Sequence, residues 1–237
     1  MNAVQQFSEA FVSALNMIIG GDPGLGEVVL LSLEVSGSAV ALALLFGLPL
    51  GAALALYRFP GRGFAIISVN ALMGLPPVVI GLVVYLLLSR AGPFGVFGLL
   101  YSPGAMIIAQ FLLVLPIIAA LSRQHFVDLW EEYGDQLRSL GSSRIRALPT
   151  LLWEGRVNLL TVSLAGFGRA IAEVGAVMIV GGNIDHYTRI MTTAITLETS
   201  KGNLSLALGL GIVLILLSFA INAALSIARV ATIRQGS

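Results

Sequence analysis

The sequence predicts an all-α polytopic membrane protein, and three observations carry that prediction. Of the 237 residues, 57% are hydrophobic and 11% charged, with a mean hydropathy of +0.95, which leaves too little polar surface to cover a soluble fold of this size. The apolar residues fall in blocks long enough to cross about 30 Å of hydrocarbon. One long polar interval, Arg123 to Arg156, stands among them.

Residues 2 to 20 place Gln5, Glu9, Ser13 and Asn16 on one helical face and Val4, Phe7, Phe11, Leu15 and Ile18 on the other. This is the pattern of an N-terminal amphipathic helix at the interface, or of a short span. No Lys or Arg precedes its apolar part, so a cleaved signal peptide is not expected, and the turn Asp22-Pro23-Gly24 ends the segment. Residues 28 to 57 form the first long span. Gly47, Gly51 and Ala55, at steps of four, let a neighbouring backbone approach it, and Pro49 is a candidate bend. The second span, 64 to 89, is interrupted at Gly74-Leu75-Pro76-Pro77, where two successive N–H groups are missing and the helix must break. The third is 103 to 122, with Gln110 inside it; the fourth is 157 to 180, with Arg169 and Glu173; the fifth is 204 to 229. Glu34, Asn70 and Gln110 are expected to serve interhelical hydrogen bonds.

Within the polar interval, Phe126, Trp130, Tyr133, Leu137 and Leu140 recur at steps of four and three, the stripe of a helix laid against an apolar surface. Asp128, Glu131, Asp135 and Arg138 occupy the other side. Gly141 stops this helix, Ser142 or Ser143 caps the next, and Ile145, Leu148 and Leu152 continue an apolar face. The result is a helix-turn-helix suited to docking, as against an ordinary solvated connection.

Basic residues set the orientation. Arg58, Arg62, Arg123, Arg138, Arg144, Arg146, Arg156, Arg229 and Arg234 are nine of the thirteen Lys and Arg, whereas the alternate connections hold only Arg90, Arg189 and Lys201. The interval 123 to 156 and the C-terminus are therefore expected in the cytoplasm, with 90 to 102 and 181 to 203 outside. A net charge of +1 gives no reason to expect nucleic acid, and the absence of cysteine excludes disulfides and thiol chemistry. His125 and His186 lie far apart and carry no H-E-x-x-H pattern, so neither a metal nor a cofactor is expected. The one lysine sits in Ser200-Lys201-Gly202, not in a phosphate-binding Gly-Lys-Ser/Thr, and no nucleophile elbow is present. A chain with a broken helix, intramembrane charges and a docking element, but no catalytic motif, reads as the membrane half of a transporter driven by a separate ATPase.

The docking stretch is similar to the cytoplasmic E-A-A-x-x-x-G loop of importer-type ATP-binding-cassette (ABC) permeases. Here Asp135, Gln136, Leu137, Arg138, Ser139 and Leu140 precede Gly141. Asp135 stands for the Glu, Gln136-Leu137 for the two alanines, and Leu152-Trp153 lies near the position of the usual Leu-Pro. The stretch Leu75 to Leu82 with Gly92-Pro93, and Ala172-Glu173-Val174-Gly175-Ala176 leading to Gly181-Gly182-Asn183-Ile184, resemble the molybdate/tungstate branch. Tyr187 to Ile195 and Leu197 to Gly202 resemble the tungstate permeases more than the molybdate ones. The likeness covers roughly residues 28 to 229.

That resemblance implies the importer-type ABC permease fold of five core transmembrane helices, in the plasma (inner) membrane of a prokaryote. It further implies a homodimer, two cytoplasmic ATPase subunits using ATP and Mg, and an extracytoplasmic oxyanion-binding protein, with tungstate, molybdate or sulfate passed by alternating access. Asp135 to Gly141 then form the ATPase coupling loop, and Gly181, Gly182, Asn183, Met191, Thr192 and Thr193 belong to an outer gate within 181 to 203. Arg169 and Glu173, four apart, are expected on one helix face as an ion pair or as part of the pathway. The pair is preferred, because a tight anion site in a conduit slows release. Arg before Glu is the less favourable order for such a pair, so partners elsewhere stay open. A passive channel or a membrane scaffold is the more distant alternative.

Overall fold

The computed structural model describes residues 3–20, 23–144 and 146–234 of the chain. Asp22 and Ile145 lie outside the described residues, as do the side chains of Val4, Gln5, Phe7, Ser13, Arg229 and Arg234. All regular structure among the described residues is helical: α1 (Ala3–Ile19), α2 (Pro23–Leu56), α3 (Arg62–Leu72), α4 (Pro77–Leu88), α5 (Pro103–Ser139), α6 (Leu148–Glu154), α7 (Arg156–Ile171), α8 (Gly175–Gly181), α9 (Met191–Ser200) and α10 (Leu204–Arg234), with one 3-10 turn at Gly95–Phe97. Three helices, α2, α5 and α10, are long and apolar enough to cross a membrane. Counting each broken pair, α3–α4 and α7–α8, as one span gives up to five.

The chain divides into two compact units, one of Met1–Ser38, Pro76–Gln110 and Ile171–Ala223, the other of Ala39–Leu75, Phe111–Ala170 and Ala224–Ser237. In the first, Ala14, Met191, Ala194, Leu210 and Val213 are buried together. α1 turns Ala10 and Ala14 inward and leaves Phe11, Leu15 and Ile18 exposed as an apolar face. α4 and α8 meet backbone to backbone: a Cβ on Gly81 would stand 2.8 Å from the Ala176 Cα. Gln110 is fully buried, whereas Glu34 is exposed.

In the second unit, the small-residue face of α2 does what its spacing predicts. A Cβ on Gly47 would lie 2.9 Å from Ile118 Cγ2, and one on Gly51 would lie 2.1 Å from Ser122 Oγ, so α5 packs against the bare backbone there. α2 and α5 run on through Pro49 and Pro116 as continuous helices. The carbonyls left open at the end of α2 are taken by Arg62, whose Nε donates to Leu54 O at 2.7 Å and Nη2 to Ala55 O at 3.3 Å. α3 ends where the prolines require, its last amides closing 3-10 bonds such as Gly74 N–H to Ala71 O at 3.1 Å. Pro76 and Pro77 then open α4. Asn70 is exposed rather than buried between helices.

Two helix boundaries differ from expectation. The span expected to stop at 122 continues unbroken to Ser139, because the change from apolar to polar side chains gives a helix no reason to end. No glycine or proline lies between Pro116 and Gly134, and Ser122 Oγ donates back to Ala119 O at 3.3 Å rather than capping a new helix. Conversely, the run 157 to 180 is not one helix. It breaks between Ile171 and Gly175, at Ala172-Glu173-Val174.

Candidate functional site

The polar turn belongs to the second unit. Phe126 is fully buried with Leu129 against Ala52, Ala55, Leu56, Ala147, Leu151 and Leu159, and Trp130, Tyr133 and Leu137 pack on the same cluster. The apolar stripe is thus largely consumed inside the chain. Asp135, Gln136, Arg138, Ser139 and Leu140 face outward, Leu140 being 82% exposed. The exposed surface of the turn is polar, with one projecting leucine. α5 ends in a Schellman arrangement: Gly141 takes φ 74°, its N–H reaches Arg138 O at 2.9 Å, and the Ser142 N–H reaches Leu137 O at 2.9 Å. Gly is there because a left-handed φ costs a residue with a Cβ. Asp135 pairs with Arg138 at 3.0 Å, and Ser139 Oγ donates to Gln136 O at 2.7 Å.

Ser143 caps the turn that leads to α6, accepting from Arg146 N–H at 3.4 Å, whereas Ala147 occupies the N-cap of α6 itself. In α6 the buried residue is Leu151; Leu152, expected on the apolar face, is exposed together with Trp153. Sequence reasoning missed Gly155, where a Cβ would stand 2.6 Å from His125 Nε2. Its position between α6 and α7 was the available signal. His125 also lies 3.3 Å from Asn158.

Arg169, in the second unit, lies half-buried in the last turn of α7, where its charge suits the helix dipole. Glu173 belongs to the first unit and lies past the end of that helix, so the expected placement of the two on one helical face is incorrect. Glu173 is buried, its Oε1 accepts the Ala176 N–H at 3.0 Å, and its carbonyl accepts the Thr192 hydroxyl at 2.8 Å. The carboxylate satisfies an amide that the start of α8 leaves open.

The segment from Gly181 to Thr193 in the first unit is bound rather than loose. Gly181 ends α8 against Met106, and Gly182 and Asn183 take positive φ of 69° and 51° in the following turn. Thr188 Oγ1 donates to Gly181 O at 2.6 Å and accepts from Ile184 N–H at 2.9 Å. Met191, Thr192 and Thr193 are buried at the start of α9, where Met191 N–H donates to Ser32 Oγ at 2.9 Å and Ile190 N–H to Thr193 Oγ1 at 3.0 Å. At the exposed edge, His186 Nδ1 meets Glu27 Oε2 at 2.6 Å, and Arg189 pairs with Asp185. The hydrogen bond to Glu27, followed by the charge of Asp185, holds His186 above the ordinary imidazole range.

Among the described residues, no group of three or more His, Asp or Glu is placed to hold a metal ion. No family model matches the chain. Curated proteins do. The tungstate uptake system permease protein TupB of Peptoclostridium acidaminophilum is 38% identical over 220 residues, 93% of this chain and 96% of that protein. A probable anion ABC transporter permease of Haloferax volcanii is 40% identical over 204 residues, 84% of this chain and 88% of its own length. TupB of Campylobacter jejuni is 37% identical over 214 residues, 90% of each chain. More distant similarity reaches sulfate and molybdate/tungstate transport permeases. At this identity over nearly the whole length, with an all-helical fold of membrane-spanning length, the chain belongs to the ABC transporter permease family, as a multi-pass transport subunit that is not itself an enzyme.

Proposed function

We propose that this chain passes tungstate from an extracytoplasmic binding protein to the cytoplasm, as the membrane subunit of an ATP-driven importer. The near-full-length match to two permeases named for tungstate uptake carries the cargo. Two copies frame the pathway, and two cytoplasmic ATPase subunits supply the energy from ATP and Mg. The distribution of arginines supports a cytoplasmic Gly141 turn and C-terminus, in the plasma (inner) membrane.

In this reading, the exposed residues from Asp135 to Gly141 seat in the ATPase. Closure of the ATPases on ATP moves the turn, and α5, a helix of about 55 Å at 1.5 Å per residue, carries the displacement into the bilayer. The outer segment from Gly181 to Thr193, pinned through Thr192 to Glu173 and through Met191 to Ser32, moves as one body to open or close the outer end. Arg169 and Glu173 are structural charges rather than anion ligands. A carboxylate occupied with an amide offers a dianion only repulsion, and tight binding in a conduit slows release.

Radiolabelled uptake by cells producing the chain with its ATPase and binding protein tests the cargo. Tungstate is expected to accumulate, with unlabelled tungstate competing better than molybdate and sulfate not competing. Molybdate competing better than tungstate itself would reassign the cargo.

A further inference from the structure

The second unit holds a group of arginines of which the transport reading uses only Arg138. Arg58, Arg138 and Arg144, with Leu56, Tyr57 and Ser143, line an open pocket of about 560 Å³, and its lining holds no carboxylate. The guanidinium carbons of Arg138 and Arg144 each lie 5.2 Å from the centre of the Trp130 ring. Arg144 Nη1 also donates to Leu56 O at 3.5 Å. Stacking on one indole holds together two cations that repel each other. Burial first, then the charges of Arg58, Arg138 and Arg62, push the Arg144 guanidinium below its ordinary range, though arginine stays protonated. Asp135 answers only Arg138, through a largely solvated pair. Among the described residues lining the pocket, no carboxylate offsets its remaining positive charge.

Beside it runs an apolar groove of about 420 Å³ that shares Leu56, Tyr57 and Arg58 and is completed by Pro49, Ala52, Ala53, Phe59 and Leu148. A soluble oxyanion would use the basic pocket alone. A groove of alanine, proline and leucine leading into three guanidiniums matches a molecule with a hydrocarbon end and an anionic end.

We propose that these adjoining cavities hold an anionic phospholipid, its phosphate against Arg58, Arg138 and Arg144 and an acyl chain along the groove. The Tyr57 and Ser143 hydroxyls stand at the same pocket as further donors. Arg138 and Arg144 flank Gly141 at three residues on either side, so a bound headgroup ties the polar turn to the membrane surface. The inference does not depend on which anion is transported.

The test uses the purified full-length chain in detergent, offered phosphatidylglycerol or phosphatidylcholine of identical acyl chains, with retention read by native mass spectrometry. Phosphatidylglycerol is expected to be retained preferentially. Arg58→Gln, a change at an exposed side chain, is expected to cost about fivefold of that preference, and Arg58→Gln with Arg144→Gln more. Thermal melting of Arg58→Gln, expected to match the parent, separates lost binding from lost fold. Equal retention of the two lipids, or a preference unchanged in both variants, overturns the proposal. So does displacement of the lipid by millimolar inorganic phosphate, which would make this a soluble-anion site. Loss of the preference on assembly with the ATPase subunits would make the pocket an ATPase contact and overturn it equally.

Discussion

Gly141→Val is expected to abolish most ATP-driven uptake while the protein still inserts in the membrane and folds. Gly141 has φ 74°, and nothing lies within 4 Å of the position a Cβ would take, so the cost is in the backbone and not in a collision. For an L-residue the left-handed region costs roughly 1–2 kcal/mol, and a β-branched side chain resists it further. The variant relieves that strain by leaving the left-handed region, which breaks the bonds from Gly141 N–H to Arg138 O and from Ser142 N–H to Leu137 O that fix the end of α5. Asp135, Gln136 and Leu140 then present a different face to the ATPase. Uptake into proteoliposomes and the thermal midpoint of the purified protein are the two readouts. Gly141→Asn, which tolerates positive φ, should retain far more transport than the valine variant. Parental uptake by Gly141→Val would show that this turn does not couple.

Glu173→Ala is expected to destabilise the first unit by about 2 kcal/mol, through an amide left buried without its acceptor. Its Oε1 holds the Ala176 N–H at 3.0 Å where α8 restarts, and the residue is almost wholly buried. Glu173→Gln keeps an oxygen at that position and loses only the charge, so its thermal midpoint should lie much nearer the parent than that of the alanine variant. Equal losses in the two would mean that the charge, not the cap, is what the site needs. In that case an ion pair or a place in the pathway, rather than the cap, is the role of Glu173.

What was legible in the chain follows from whether its cause is local. Pro76-Pro77 removes two donors within the chain itself, Gly141 supplies its own positive φ, and Gly47 and Gly51 mark a close approach by lacking a Cβ; each reads directly and each is found. The break at Glu173 has no proline, and its stabilising bond reaches Thr192, 19 residues away, so periodicity alone continued the helix. The extension of α5 past 122 was obscured because polarity reports the surroundings of a helix and not its hydrogen bonds. Trp130 was placed correctly on the apolar stripe. That it gathers Arg138 and Arg144 depends on the turn bringing Arg144 back over the ring, which no spacing along the chain records.

The proposed function is the coupling of ATP hydrolysis in partner subunits to movement of tungstate. It is tested most directly in proteoliposomes containing the chain with its ATPase, supplied with ATP on the ATPase side and tungstate-loaded binding protein on the other. Loaded binding protein is expected to raise ATP hydrolysis, tungstate to accumulate against its gradient, and both effects to vanish without ATP. Equilibration of tungstate down its gradient at the same rate without ATP or binding protein would contradict it and identify a passive channel instead.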